Sequence, residues 1–101
     1  AVESALAVLR AAGLPEVLMV DCSHANSGKD PQRQVAVLDD VVAQRVNGRS
    51  ALKAVMIESH LVGGRQDVGT GALAYGQSIT DACLGFDDTK RAIEAAARRL
   101  G

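Results

Sequence analysis

The stretch Met19-Val20-Asp21-Cys22-Ser23-His24-Ala25-Asn26 constrains the chain most: a short apolar run stops at a cluster holding a carboxylate, a thiol, a hydroxyl and an imidazole. Two later stretches repeat the design. Ala54-Val55-Met56-Ile57 runs into Glu58-Ser59-His60, and Gln77-Ser78-Ile79-Thr80 runs into Asp81. Apolar runs of about four to eight residues bounded by turn signals suit buried strands of a parallel sheet, and sites in α/β folds collect at the C-terminal ends of such strands. The expectation is three strands, near 17–22, 53–58 and 77–81, each delivering one candidate metal ligand to the same rim: His24, Glu58 and Asp81.

Helical patterns alternate with these strands. Val2, Leu6, Leu9 and Ala12 fall near helical spacing before Gly13 and Pro15, which predicts a helix over 2–12. Asp30-Pro31 reads as a cap followed by proline at the first helical position, and Val35, Leu38, Val41, Val42 and Val46 keep a 3.6-residue period. That helix is expected over 31–46, ended by Asn47-Gly48. Asp87 or Asp88 is the expected cap of a last helix over 88–100, with Ile93, Ala96, Ala97 and Leu100 on its buried face. Between them, Leu61 to Tyr75 contains Gly63, Gly64, Gly69 and Gly71, too glycine-rich for a helix. A loop of that length in a compact fold is usually functional or mobile.

Composition narrows the function classes. With 101 residues the chain makes one domain at most; 48% of it is apolar but only 2% aromatic, so the core must be aliphatic. The formal net charge of -1, with both signs intermixed, offers no basic patch for nucleic acid. No apolar run approaches the roughly 20 residues of a membrane span, and nothing reads as a signal peptide. A reducing, cytoplasmic location is therefore expected, with Cys22 and Cys83 as free thiols.

Three motifs carry a resemblance. Asp21-Cys22-Ser23-His24-Ala25-Asn26-Ser27, Met56-Ile57-Glu58-Ser59-His60-Leu61 and Tyr75-Gly76-Gln77-Ser78-Ile79-Thr80-Asp81-Ala82-Cys83, followed by Asp87-Asp88-Thr89, resemble the C-terminal third of the type I, metal-dependent 3-deoxy-D-arabino-heptulosonate 7-phosphate (DAHP) synthases. The resemblance implies the last three βα units of a (β/α)8 TIM barrel, present here as a fragment. It implies the aldol-type condensation of phosphoenolpyruvate with erythrose 4-phosphate, the first step of the shikimate pathway to aromatic amino acids, in a protein that is a homo-oligomer when full length. It also implies His24, Glu58 and Asp81 as the ligands of a divalent metal, His24 being the candidate catalytic residue. The chain departs from the family at Gly63, where a Glu is usual, and at Phe86, where a Trp is common. The family's cysteine ligand and its phosphate-holding Lys and Arg residues come from earlier strands, so the remainder of the barrel is an expected partner.

One imidazole and two carboxylates form a mixed N/O set that suits Mn, Fe, Co or Zn without choosing among them. Such an ion with open positions acts as a Lewis acid on an aldehyde oxygen. Asp21 is a plausible acceptor for the other N–H of His24, since ligating imidazoles commonly donate to a carboxylate or carbonyl. Blander readings stand beside these. A lone His after a strand is more often a hydrogen-bonded structural residue, and Asp81 alone would serve as a cap. His60, beside Glu58 in its motif, is read as structural or substrate-adjacent. Lys29 and Arg65 are within reach of a phosphate, yet solvated loop charges are commoner. Cys22 and Cys83 are more readily small buried hydrophobes than nucleophiles. The alternative to the synthase is a non-catalytic truncated piece, or one that completes a barrel supplied by another chain.

Overall fold

The computed structural model describes residues 1–69 and 71–101. Five regular elements follow in the order α1 (Val2–Ala11), β1 (Leu18–Asp21), α2 (Arg33–Val46), β2 (Leu52–Met56) and α3 (Phe86–Leu100), with a 3-10 turn over His24–Ser27 between β1 and α2. The strands pair in parallel, Met19 with Ala54, Val20 with Val55 and Asp21 with Met56, and an irregularity shifts the register between Leu18 and Met19. A backbone bond from Cys22 N to Met56 O, 2.8 Å, carries the ladder one residue past β1. Parallel pairing across α2 is the βαβ arrangement that strand–helix alternation predicts.

The sheet has two strands, so the third strand expected over 77–81 is not formed. Ser78 makes a single isolated bridge with Arg65, while its hydroxyl accepts from Thr80 N at 3.1 Å. That side-chain bond folds the backbone into a local turn and competes with a ladder, as Ser and Thr commonly do. The expected three strand–helix units therefore reduce to two, and Asp81 sits in the connection between β2 and α3.

The helices start where backbone bonding dictates. Asp30 Oδ1 accepts from Gln32 N at 3.0 Å, and Arg33 N and Gln34 N bond back three residues to Asp30 O and Pro31 O. Asp30-Pro31 thus caps a tight turn, and α2 proper begins at Arg33. The last helix begins at Phe86, two residues before the expected start, with Gly85 as its extended N-cap and Thr89 N bonded to Gly85 O at 3.0 Å. Asp87 and Asp88 occupy its first turn, where carboxylates favour the positive end of the helix dipole.

The core gathers Cys22, Leu38, Val42 and Ala92, with Val35, Val37, Ile57 and Ala96 packed around them. It lies between β1, α2 and α3, and Arg99 reaches across to donate to Asp39 O at 3.3 Å. Small Ala92 is the buried residue of α3. Ile93 and Leu100, expected in the core, are mostly exposed. They line an apolar groove of about 760 Å³ with Leu38, Val42 and Ile57. Helix α1 buries none of its residues.

The connection between β2 and α3 is tied at several points. Ser59 bridges Leu84, Gly64 bridges Cys83, and Arg65 bridges Ser78. Gln66 closes its neck: the side-chain amide donates to Ala74 O at 2.8 Å and Gln77 O at 3.1 Å, and accepts from Ala74 N at 2.8 Å. The glycine-rich segment is thus held by its own hydrogen bonds.

Candidate metal centre

β1 ends at Asp21, and the chain turns at once to place His24 with φ +51°, in the left-handed region that a non-glycine residue seldom enters. Gly28, with φ +62°, closes the 3-10 turn, and Asn26 Nδ2 donates to Asp21 O at 2.7 Å, tying the turn to the end of the strand. This tight return sets the imidazole beside the residue that ends β1. His24 Nδ1 lies 2.9 Å from Asp21 Oδ2, and Asp21 Oδ1 accepts from the backbone N–H and the hydroxyl of Ser23.

The other ring nitrogen faces two carboxylates. His24 Nε2 is 2.8 Å from Glu58 Oε1 and 3.2 Å from Asp81 Oδ2. Glu58 arrives two residues after β2. Asp81 arrives from the connection beyond it, where Arg65 Nε donates to the neighbouring Thr80 O at 2.9 Å. His24, Glu58 and Asp81 each offer one ligand atom, and these atoms all lie within 4.8 Å of one another. Bonds of about 2.0–2.2 Å from nitrogen and oxygen to a transition metal put neighbouring donors roughly 3–4 Å apart, so the group fits an ion with small adjustments.

Electrostatics follow from the geometry. The hydrogen bond to Asp21 holds the His24 pKa above its ordinary 6.5, with the charges of Glu58 and Asp81 adding and desolvation opposing. Asp21 is held below the usual carboxylate range, first by the Ser23 hydroxyl and then by His24. Carboxylates at both nitrogens favour the doubly protonated ring relative to a free imidazole, and a metal at Nε2 would take the place of a proton.

These residues line a cavity of about 150 Å³ together with Lys29 and Arg65. Two larger hollows, of about 760 and 780 Å³, flank α2. The smaller one is where convergent imidazole and carboxylate groups are found, and those carry the chemistry. His60 stands apart: its Nδ1 accepts from Leu61 N at 2.8 Å. Cys22 and Cys83 are both buried free thiols, and burial pushes Cys22 up to about 11, with Asp21 adding to the rise.

Sequence reasoning passed over Gln34. It is 1% exposed, and its carboxamide bonds both backbone polar groups of Glu58. The signal was present, since Gln34 shares a helix face with Leu38, Val41 and Val42, a polar residue at one end of an apolar stripe.

Comparison with known proteins agrees with the motifs. Residues 2–94 match the DAHP synthetase I family. The Phe-sensitive phospho-2-dehydro-3-deoxyheptonate aldolase of Escherichia coli K12 is 49% identical over 93 residues, 91% of this chain and 27% of that protein. The phospho-2-dehydro-3-deoxyheptonate aldolase of Haemophilus influenzae is 47% identical over 94 residues, 92% of this chain and 26% of that protein. The solved phospho-2-dehydro-3-deoxyheptonate aldolase of Francisella tularensis SCHU S4 superposes with a TM-score of 0.92 at 41% identity, covering 97% of this chain and 28% of that one. The chain spans about a quarter of the length of the relatives it matches.

Proposed function

Because the chain belongs to the DAHP synthetase I family, we propose that the protein containing it condenses phosphoenolpyruvate with erythrose 4-phosphate to DAHP, with His24, Glu58 and Asp81 holding a divalent metal. The observation that carries this reading is the convergence of three donors from three separate parts of the chain, with Nε2 of His24 at 2.8 and 3.2 Å from the two carboxylates. The N/O donor set suits Mn, Fe, Co or Zn. Bound there, such an ion supplies Lewis acidity toward the aldehyde oxygen.

The residues around it have separate tasks. Asp21 orients the imidazole and sustains its basicity through Nδ1. Ser23 in turn holds Asp21 through its hydroxyl and backbone N–H, leaving Oδ2 aimed at the ring. Arg65 and Lys29 place positive charge on the cavity wall, where they favour an anionic substrate. The uncovered groove over Leu38, Val42 and Ile93 and the two-stranded sheet favour a setting in which further strands and helices of a (β/α)8 barrel complete the fold.

The test is made in the protein that contains this chain. His24→Ala and Asp81→Ala variants are assayed for bound divalent metal and for consumption of phosphoenolpyruvate with erythrose 4-phosphate. Both variants are expected to lose the metal and nearly all turnover. Normal metal content with full activity in both would overturn the assignment.

A further inference from the structure

We infer that Gln34 is a positioning residue, which sets the carboxylate of Glu58 in the donor group by bonding its backbone; the inference rests on the metal-site reading above. β2 stops at Met56, yet Glu58 must be held just beyond it, where no strand of the described residues runs alongside. Gln34 fills that place. Its Oε1 accepts from Glu58 N at 2.8 Å, and its Nε2 donates to Glu58 O at 3.1 Å. A primary carboxamide carries the same acceptor and donor pair as a peptide, so this side chain extends the ladder by one residue from a helix.

Three further observations separate this role from ordinary packing. Gln34 is 1% exposed, and it shares its helix face with Leu38, Val41 and Val42, where an aliphatic side chain would be the simpler filler. A polar group so deep is stable only when bonded, and both bonds go to one residue, 24 positions away. Glu58 O also accepts from Leu84 N at 3.0 Å, so the same carbonyl anchors the segment that brings in Asp81. Gln34 thus fixes the backbone from which one carboxylate projects and, through the shared carbonyl, the approach of the other. Its two hydrogen bonds go to the Glu58 backbone and not to the donor atoms themselves.

The test is a double-mutant cycle read as Mn2+ affinity by calorimetric titration of the metal-free protein that contains this chain, with folding checked by circular dichroism. Gln34→Met keeps the length and removes both bonds. It is expected to weaken Mn2+ binding by about 10- to 100-fold, the range for residues that support a ligand from behind. In a Glu58→Gln background the same change is expected to cost less than about threefold, because the ligand it positions is already lost. Where Gln34→Met fails to fold, Gln34→Glu, which keeps the acceptor for Glu58 N, takes its place in the cycle, with a smaller first step. Unchanged affinity, or an equal loss in both backgrounds, would overturn the positioning role. Unchanged affinity in His24→Ala would instead overturn the metal site itself.

Discussion

Asp21 and His24 form one unit: the carboxylate that ends β1 sits 2.9 Å from Nδ1 of the imidazole three residues on. This bond is the largest influence raising the His24 pKa above 6.5. A group whose pKa is raised on folding contributes stability that is fully present below its unfolded value and lost as pH rises through the folded one. The metal-free protein should therefore gain from protonated His24 below pH 6.5 and lose that gain above it. Asp21→Asn should move the His24 titration to lower pH, read from the imidazole C–H signals by NMR. An unmoved midpoint would remove Asp21 from this role.

Metal uptake should run against that proton. At pH 6.5, where more than half of the rings carry the second proton, binding should release more than half a proton per site, and affinity should rise with pH until His24 is neutral. Titration calorimetry in buffers of different ionisation enthalpy measures the proton count. A count of zero would mean that His24 is not a ligand.

Gly76 should resist substitution. Its φ is +76°, and a Cβ there would stand 2.8 Å from Leu61 Cβ, while its carbonyl accepts from Val62 N at 2.9 Å. Gly76→Ala is expected to cost about 1–3 kcal/mol, the range for a side chain held in the left-handed region, plus the clash. Denaturant unfolding measures it. The double variant with Leu61→Ala shortens the neighbouring side chain but leaves Leu61 Cβ in place, so it should recover only part of the loss.

The thiols should be present but slow. Under denaturing, non-reducing conditions two free thiols per chain are expected. In the folded protein Cys22, fully buried and pushed up to about 11, should react orders of magnitude more slowly than a free cysteine at pH 8. Mass spectrometry after timed alkylation separates the two sites. A mass lower by two hydrogens would mean a disulfide.

The 101-residue chain taken alone should associate. Among the described residues neither outer edge of the two-stranded sheet has a partner strand, Met19 is 66% exposed, and apolar grooves flank α2. Light scattering should report species larger than a monomer, with little consumption of phosphoenolpyruvate. A compact monomer with full turnover would contradict this.

Much of this was legible in the residues. Met19 to Asp21 and Ala54 to Met56 were readable as strands because each is an apolar run closed by polar groups, and the period from Val35 to Val42 marked α2. His24 and Glu58 were readable because each follows such a run, whereas Asp81 follows the mostly polar Gln77-Ser78-Ile79-Thr80 and reaches the group from a loop and not from a strand end. The 77–81 segment does not form a strand because the Ser78 hydroxyl takes the Thr80 N–H, a choice that alternation does not reveal. The burial of Ile93 was overestimated because a helix stripe states which face is apolar, not whether anything covers it. The left-handed His24 and the reach of Gln34 to Glu58 depend on tertiary geometry that no local pattern encodes.

The clasp made by Gln66 divides the long connection into two parts with different freedoms. Between the clasp and α3, the chain from Gln77 to Gly85 is tied back at Ser78, Cys83 and Leu84 by isolated bridges to Arg65, Gly64 and Ser59, and at Thr80 O by Arg65 Nε, so residues added among these ties would shift Asp81. Beyond the clasp, beside Val68 or Ala72, added length has no bearing on where Asp81 sits. Residues added there would extend a segment whose neck Gln66 already holds, and Asp81 would stay where it is. An engineer can therefore place a label or a peptide beside Val68 or Ala72 without moving a donor atom.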